Sequence, residues 1–341
     1  MVRSYHAESI ADNYFFNMFN MFRAEVRPYL LMLCSSFSFT VMAVLVHDIV
    51  QVSRICDWQT TALFRAGLVA LFSLILAHLN GVGLVWRPWR LWVRSLAGSG
   101  SMVCTFYAFG TLPTADVITL TNTFPLWVAL LAWPVYGQRP QRALLLAVGI
   151  GIAGVALVEQ PHFAQRNWGV VAALAAAMFT AVAMLGLHAL KGVNPTAVVV
   201  HFSCVATLTC AVVFLLNLQQ HSFFRMSDTN AWIKLLGMGL AALVGQIFLT
   251  RAFVGGAPAA VAVVGLTQIV FALAFDVWLF GYTLNLLTIC GTILVVAPTG
   301  WVLTHPPRLP TSLPPKAWMQ PSIVRTEATK STSTGETKTL M

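Results

Sequence analysis

Runs of roughly 20 apolar residues, the length of helix that crosses a hydrocarbon core about 30 Å thick, alternate along this chain with short polar connectors. Ten such runs predict membrane-spanning helices: 29–47, 60–79, 93–111, 115–135, 142–159, 168–188, 196–216, 231–250, 258–280 and 284–303. Membrane-spanning strands would alternate apolar and polar residues over short stretches, and the sequence does not. The third and fourth runs are joined only by LPTA, which makes them an antiparallel hairpin. Residues 1–28 predict a cytoplasmic segment ahead of the first span. Residues 304–341 are rich in Pro, Ser and Thr without apolar periodicity and predict a disordered cytoplasmic tail.

Composition agrees with the pattern. Of 341 residues, 58% are hydrophobic and only 9% charged, whereas soluble domains carry about a quarter charged residues. Mean hydropathy is +0.77. The fold class expected is an all-α polytopic membrane protein. A net charge of +9 invites a nucleic-acid reading, but the basic residues sit in short loops and tails, where membrane topology places them. No nucleic-acid partner is expected; the lipid bilayer is.

With the N-terminus inside, inner segments hold Arg3, Arg23, Arg27, Arg87, Arg90, Arg94, Arg139, Arg142, Lys191, Arg251, Arg308, Lys316, Arg325, Lys330 and Lys338. The outer side holds Arg54, Arg166, Arg225 and Lys234, and Arg65 lies within a span. Positive charge on the inner side predicts both termini in the cytoplasm of a multi-pass protein of the plasma (inner) membrane. Five of the six cysteines fall in predicted spans and no CxxC pair occurs, so neither a disulfide framework nor a zinc site is expected. The first long apolar run has no small-residue cleavage site after it, and no signal peptide is expected.

A shift of 144 residues lays AFGTLPTADVITLTNTFPLWVALLAWPVYG (108–137) over AFVGGAPAAVAVVGLTQIVFALAFDVWLFG (252–281) without a gap. Ala108, Phe109, Ala115, Val117, Thr123 and Gly137 then coincide with Ala252, Phe253, Ala259, Val261, Thr267 and Gly281. Two repeats of five spans follow, 29–159 and 168–303. An odd number of spans per repeat turns the second copy upside down. The loops agree, since GQRPQR after the fourth span is basic and GYTLN after the ninth is uncharged. Inverted repeats are common in secondary transporters, whose substrate sites lie near the midplane between the halves.

Polar side chains inside a span are costly against lipid and therefore turn inward and find partners. ITLTNTFPLW (118–127) gathers several of them at mid-span. Thr119, Asn122 and Thr123 share a helical face, and Pro125 withholds one backbone donor from the Thr121 carbonyl. A substrate or water could meet that carbonyl. Interhelical packing would use the same residues at about 1 kcal/mol per bond. Gln268 has the matching depth in the second half, and Tyr107 is either a cavity wall or an interfacial belt tyrosine.

Arg65 and Asp116 lie at similar depth near the outer end, where they can pair as a gate or anchor a substrate carboxylate; Arg65 can equally snorkel to the headgroups. Asp276 is either a proton-binding carboxylate or an interfacial one. His201 is either a proton relay or a hydrogen-bonded packing residue, and Gln246 reads as a tie between helices. Gly149-x-Gly151-x-x-Gly154 matches a dinucleotide fingerprint but sits in an apolar span, where small residues serve close helix packing. No HExxH, GxSxG or Walker A pattern occurs, so no enzyme activity, cofactor or metal is expected, and gradients would drive any active transport.

The stretch TFYAFGTLPTADVITLTNTFPLWVALLAWPVYGQRP, with Arg65 in ALFRAGLVAL, resembles the EamA-type members of the drug/metabolite transporter superfamily. The likeness in layout covers residues 28–303. It implies two inverted four-helix lobes around a central cavity, the fifth and tenth helices peripheral. It also implies a small-molecule cargo such as an amino acid, nucleotide derivative, organic acid or drug-like compound. The second half departs from the first, with Gln268 where the first has Phe124 and Ile269 where it has Pro125.

The expectation is an alternating-access secondary transporter. Its substrate-binding residues would be Thr119, Asn122, Thr123, Pro125, Gln268 and Tyr107, and its gate or coupling residues Arg65, Asp116, Asp276 and His201. Protons or another ion are candidate coupling partners, and a homodimer is a candidate assembly. The rival is a non-transporting membrane protein on the same fold, a ligand sensor or an embedded enzyme, because fold alone does not fix function.

Overall fold

Twelve α-helices make ten crossings in the computed structural model, which describes residues 2–53, 55–112, 114–137, 141–160, 168–216, 229–280 and 285–305. Within these, side chains are described except at 2–24, 51–52, 109–110, 114–116, 276 and 280. The helices are α1 (Val2–His47), α2 (Trp58–Leu79), α3 (Trp89–Thr111), α4 (Thr114–Thr121), α5 (Phe124–Tyr136) and α6 (Arg142–Glu159). The second half holds α7 (Trp168–His188), α8 (Pro195–Leu216), α9 (Thr229–Gly255), α10 (Pro258–Gly265), α11 (Thr267–Phe280) and α12 (Leu286–Thr304). A π-helical turn, Asp48–Val52, extends α1. The tail beyond His305 and the tips of several loops lie outside the described residues.

Two runs expected as single spans, 115–135 and 258–280, are each divided: α4 from α5, and α10 from α11. The 144-residue register extends to the element boundaries. It relates Thr114 to Pro258 at the starts of α4 and α10, Tyr136 to Phe280 at the ends of α5 and α11, and Arg142 to Leu286 at the starts of α6 and α12. It also relates the two breaks, Asn122 to Leu266. The chain is therefore two inverted five-span repeats.

Among the described residues nine segments are long and apolar enough to cross a membrane. The tenth crossing is α3. Its 23 residues reach about 35 Å at 1.5 Å per residue, but Arg90, Arg94, Ser95, Ser99 and Ser101 make it too polar to qualify by composition. It survives in the bundle because it packs most extensively on α7 and also on α8, so its polar face meets protein.

Packing follows the repeat. The α3–α7 contact has its counterpart in α1–α9, while α2–α8 and α6–α12 lie across the pseudo-two-fold axis from themselves. The α6–α12 crossing is close because both helices carry glycine there. A Cβ on Gly154 would stand 2.7 Å from the Gly291 carbonyl, and one on Gly291 2.7 Å from that of Gly154.

The two faces of the bundle are packed differently. At the near face, where the α1 span begins at Glu25 and α12 ends, a single apolar cluster draws on nearly every crossing: Tyr29, Leu91, Val128, Leu144, Leu185, Val198, Phe253, Val261 and Val302 all belong to it. At the far face the apolar contacts divide into smaller clusters, such as Ile49–Leu235–Met238 and Ala108–Val117–Ala173. The broken helices show the same asymmetry. The near-face halves α5 and α10 pack on each other, and among the described residues α4 and α11, their far-face equivalents, make no comparable contact. At the far face Lys234 reaches Asp48 at 2.5 Å and Ser53 at 3.0 Å, tying α9 to the end of α1.

Candidate functional site

Four helices, α2, α3, α8 and α9, surround a narrow cavity of about 10 Å³, room for about one water molecule, lined by Arg65, Ala66, Val69, Met102, Phe202, Ser203, Ala206, Ala242 and Gln246. These helices are two repeat-related pairs, α2 with α8 and α3 with α9, so the cavity lies on the pseudo-two-fold axis. Met102 and Gln246, which the 144-residue register superposes, both line it.

Arg65 is part-buried and directs Nε to the Met42 sulfur at 3.0 Å and Nη1 to the Met102 sulfur at 2.8 Å. Thioether sulfur is a weak acceptor, so among the described residues the guanidinium is held in place with little of its charge answered. Gln246 is only 4% exposed, and its Nε2 is buried with no hydrogen-bond partner. Ser203 shares a 3.1 Å hydrogen bond with Ser73 and donates to the Val200 carbonyl at 3.0 Å. The donors of the lining are the Arg65 guanidinium and the Gln246 amide, and the stronger of the two is a cation. Such a cavity suits a ligand that brings acceptors.

Toward the near face the polar track continues along α3 and α8. Arg94 is 1% exposed, and its guanidinium carbon stands 4.0 Å from the centroid of the Phe202 ring, a cavity wall. Its Nε and Nη1 have no hydrogen-bond partner. Ser95 and His201 Nδ1 share a hydrogen bond of 2.8 Å, while His201 Nε2 is buried without one. The rings of Trp86 and Trp92 lie 5.0 and 4.6 Å from the His201 ring. The positive-inside count placed Arg94 among inner-side charges; the fold places it inside the bundle. The signal for it was the spacing of Arg94, Ser95, Ser99 and Met102 along one side of α3, which reads as a lining face once the partner helices are known.

The polar cluster at the first break closes that break. Asn122 Nδ2 donates to the Ile118 carbonyl at 2.8 Å, Thr121 Oγ1 to Val117 at 2.8 Å, and Thr123 Oγ1 to Leu120 at 2.6 Å. Together they cap the last turn of α4, and Pro125 sits in the first turn of α5, where its missing N–H is harmless. Thr119 differs from its neighbours: it is 6% exposed with Oγ1 buried and unpartnered.

At the second break no proline is present. Thr267 Oγ1 donates to Val264 at 2.7 Å, while α1 supplies Ser36 to the Gly265 carbonyl at 3.4 Å and Thr40 to the Gln268 carbonyl at 3.1 Å. Gln268 thus enters this network through its main chain. Tyr107 is 43% exposed on α3. The side chains of Asp116 and Asp276 lie outside the described residues, and so does any pairing of Asp116 with Arg65.

At the near face, Tyr136 donates to the Leu185 carbonyl at 2.5 Å, and its ring meets that of His188 edge-on at 5.2 Å. His188 Nδ1 lies 3.1 Å from the Phe253 carbonyl. These contacts join α5, α7 and α9. Among the described residues no group of three or more His, Cys, Asp and Glu side chains is placed to hold a metal.

The sequence matches the EamA-like transporter family over residues 26–159 and 167–304. It is 32% identical over 273 residues to the Pseudopaline exporter CntI of Pseudomonas aeruginosa, covering 78% of this chain and 92% of that protein. It is 25% identical over 278 residues to human Solute carrier family 35 member G1, covering 78% of this chain and 75% of the relative. A solved crystal structure shares the fold with a TM-score of 0.69 at 16% identity, covering 82% of this chain and 96% of that one.

Proposed function

This chain belongs to the EamA-like transporter family, and from that premise we propose that it carries a small acidic metabolite across the membrane by alternating access. The observation that carries the proposal is Arg65. Its guanidinium lines a cavity on the axis between the inverted halves, and among the described residues its hydrogen bonds go to methionine sulfurs. An acid group of the cargo would replace those weak acceptors with a charge-assisted pair. Gln246 and Ser203 would supply further polar contacts, and Thr119 is a candidate contact from the broken helix. Asn122, Thr123 and Pro125 would act by holding the break in shape. Asp116, Asp276 and His201 remain candidate coupling groups, with protons as the ion to test first.

The packing asymmetry supports a two-gate cycle. In this reading the near face is cytoplasmic and its continuous apolar cluster is the closed inner gate, while α4 and α11 line the opposite route. Closing the outer gate would bring α4 against α11 as α5 now packs on α10. The exporter name of the Pseudomonas relative favours outward movement as the direction to test first.

Counterflow in proteoliposomes tests the site. A panel of radiolabelled carboxylic and amino acids is loaded, and exchange is compared between wild type and Arg65→Gln at matched insertion. Loss of exchange by at least about tenfold in the variant is expected for a desolvated charge pair; undiminished exchange sinks the assignment.

A further inference from the structure

Arg94 is a buried cation that the transport site proposed above does not use. A guanidinium inside a membrane bundle is normally paired, because an uncompensated charge is expensive there. Here the guanidinium lies over the aromatic face of Phe202 with His201 close enough to feel its charge, and two of its nitrogens are unsatisfied at 1% exposure. The place is shaped for it. A Cβ on Gly98 would stand 2.5 Å from Arg94 Nη1 and 2.8 Å from the Phe202 ring, so the head group folds along α3 into space that only glycine leaves. That space lies behind a wall of the Arg65 cavity, since Phe202 lines it.

The spacing completes the argument. Arg94 Nη1 lies at the level of Gly98, and Arg65 Nη1 binds the sulfur of Met102. Gly98 and Met102 are four residues apart, about 6 Å along a helix rising 1.5 Å per residue. The two guanidinium groups thus touch α3 at levels about one helical turn apart, with the donor of Gln246 on the Arg65 cavity and the Phe202 ring lining it.

We infer that Arg94 is a second anion-binding group of the transport site, and that the cargo carries two acid groups separated by a short chain. The inference rests on the cavity being the transport site. Arg65 takes one acid group, and rotation of the Phe202 ring exposes Arg94 to the other.

The test uses the full-length protein in detergent, in chloride-free buffer, titrated with succinate, glutarate and adipate, each beside its monoamide and diamide. Tryptophan fluorescence is the readout, since Trp86 and Trp92 flank His201 next to Arg94. At least one diacid is expected to bind about tenfold more tightly than its monoamide, as a second charge-assisted pair would require. Arg94→Gln should bring the two within about twofold while leaving monoamide affinity unchanged, because the second pair alone is lost. Arg94→Lys should keep part of the gap. Phe202→Leu, which spares the charge and removes the partition, should widen the gap, and an unchanged gap there overturns the inference if Arg94→Gln does not fold.

Equal binding of diacid, monoamide and diamide, including no binding of any, overturns the inference. So does a gap that persists in Arg94→Gln, or a signal that chloride alone saturates. Counterflow separates this outcome from the transport reading. Exchange of a monoacid without dianion preference removes the second subsite and leaves the transporter, whereas dianion binding without exchange does the reverse.

Discussion

Two arginines and a glycine define the interior more sharply than the polar cluster that dominates the sequence. Asn122 and Thr123 catch the eye because they interrupt an apolar run, yet their side chains are spent on carbonyls one turn back. Arg94 draws no notice beside Arg87 and Arg90, because a charge at the edge of a span reads as a loop charge until the neighbouring helices are seen. Arg65 was legible as a cation within a span, but its sulfur partners were not, since Met42 and Met102 lie on other helices. Gly98 looks like one more small membrane residue and is instead the space for a guanidinium. Gly98→Ala should therefore displace Arg94 or the Phe202 ring. A destabilisation of about 1–3 kcal/mol is expected for overpacking such a site, read as a lower thermal midpoint of the purified protein. An unchanged midpoint would show that Arg94 can relax elsewhere without cost.

The helices tell which structural features a single sequence can announce. The first break left a mark in Pro125, which cannot continue the hydrogen-bond ladder, although the run was expected as a single span. The second has no comparable mark: Pro258 starts α10, and the break at Leu266 is supported by side chains more than two hundred residues away. Ser36 and Thr40 reach the Gly265 and Gln268 carbonyls from α1, and only the fold brings them there. The gapless repeat carried the information indirectly, since it superposes Leu266 on Asn122. The double variant Ser36→Ala, Thr40→Ala strips the Ser36 bond to the Gly265 carbonyl and the Thr40 hydroxyl, whose hydrogen is shared between the Ser36 carbonyl at 2.9 Å and the Gln268 carbonyl at 3.1 Å. It should lower stability by about 1–2 kcal/mol at roughly 1 kcal/mol per interhelical bond, whereas Ser38→Ala, whose hydroxyl bonds only within α1 among the described residues, should change little. Comparable losses in both variants, measured by thermal unfolding in micelles, would remove α1 from any role in holding the second break.

At the scale of the molecule, span count, repeat and inversion were all readable, because lipid demands long apolar helices and duplication leaves a register. The unequal packing of the two faces was not readable, because it depends on which side chains meet across helices far apart in the chain. One feature of the bundle reaches back to its synthesis. The polar face of α3 finds its partners in the second half: Ser95 on His201, Arg94 on Phe202, and Ser101 on Thr180 and the Ala176 carbonyl. When α3 leaves the ribosome those residues have not yet been made. A segment with two arginines and three serines has little reason to enter lipid unaided. Residues 1–160 expressed alone should therefore leave α3 incompletely integrated, as scored by glycosylation tags in microsomes, and co-expression of residues 161–341 should restore it. Full integration of the isolated first half would refute this. The chain's third crossing is, on this account, a debt of assembly that the nascent protein carries until its second half arrives.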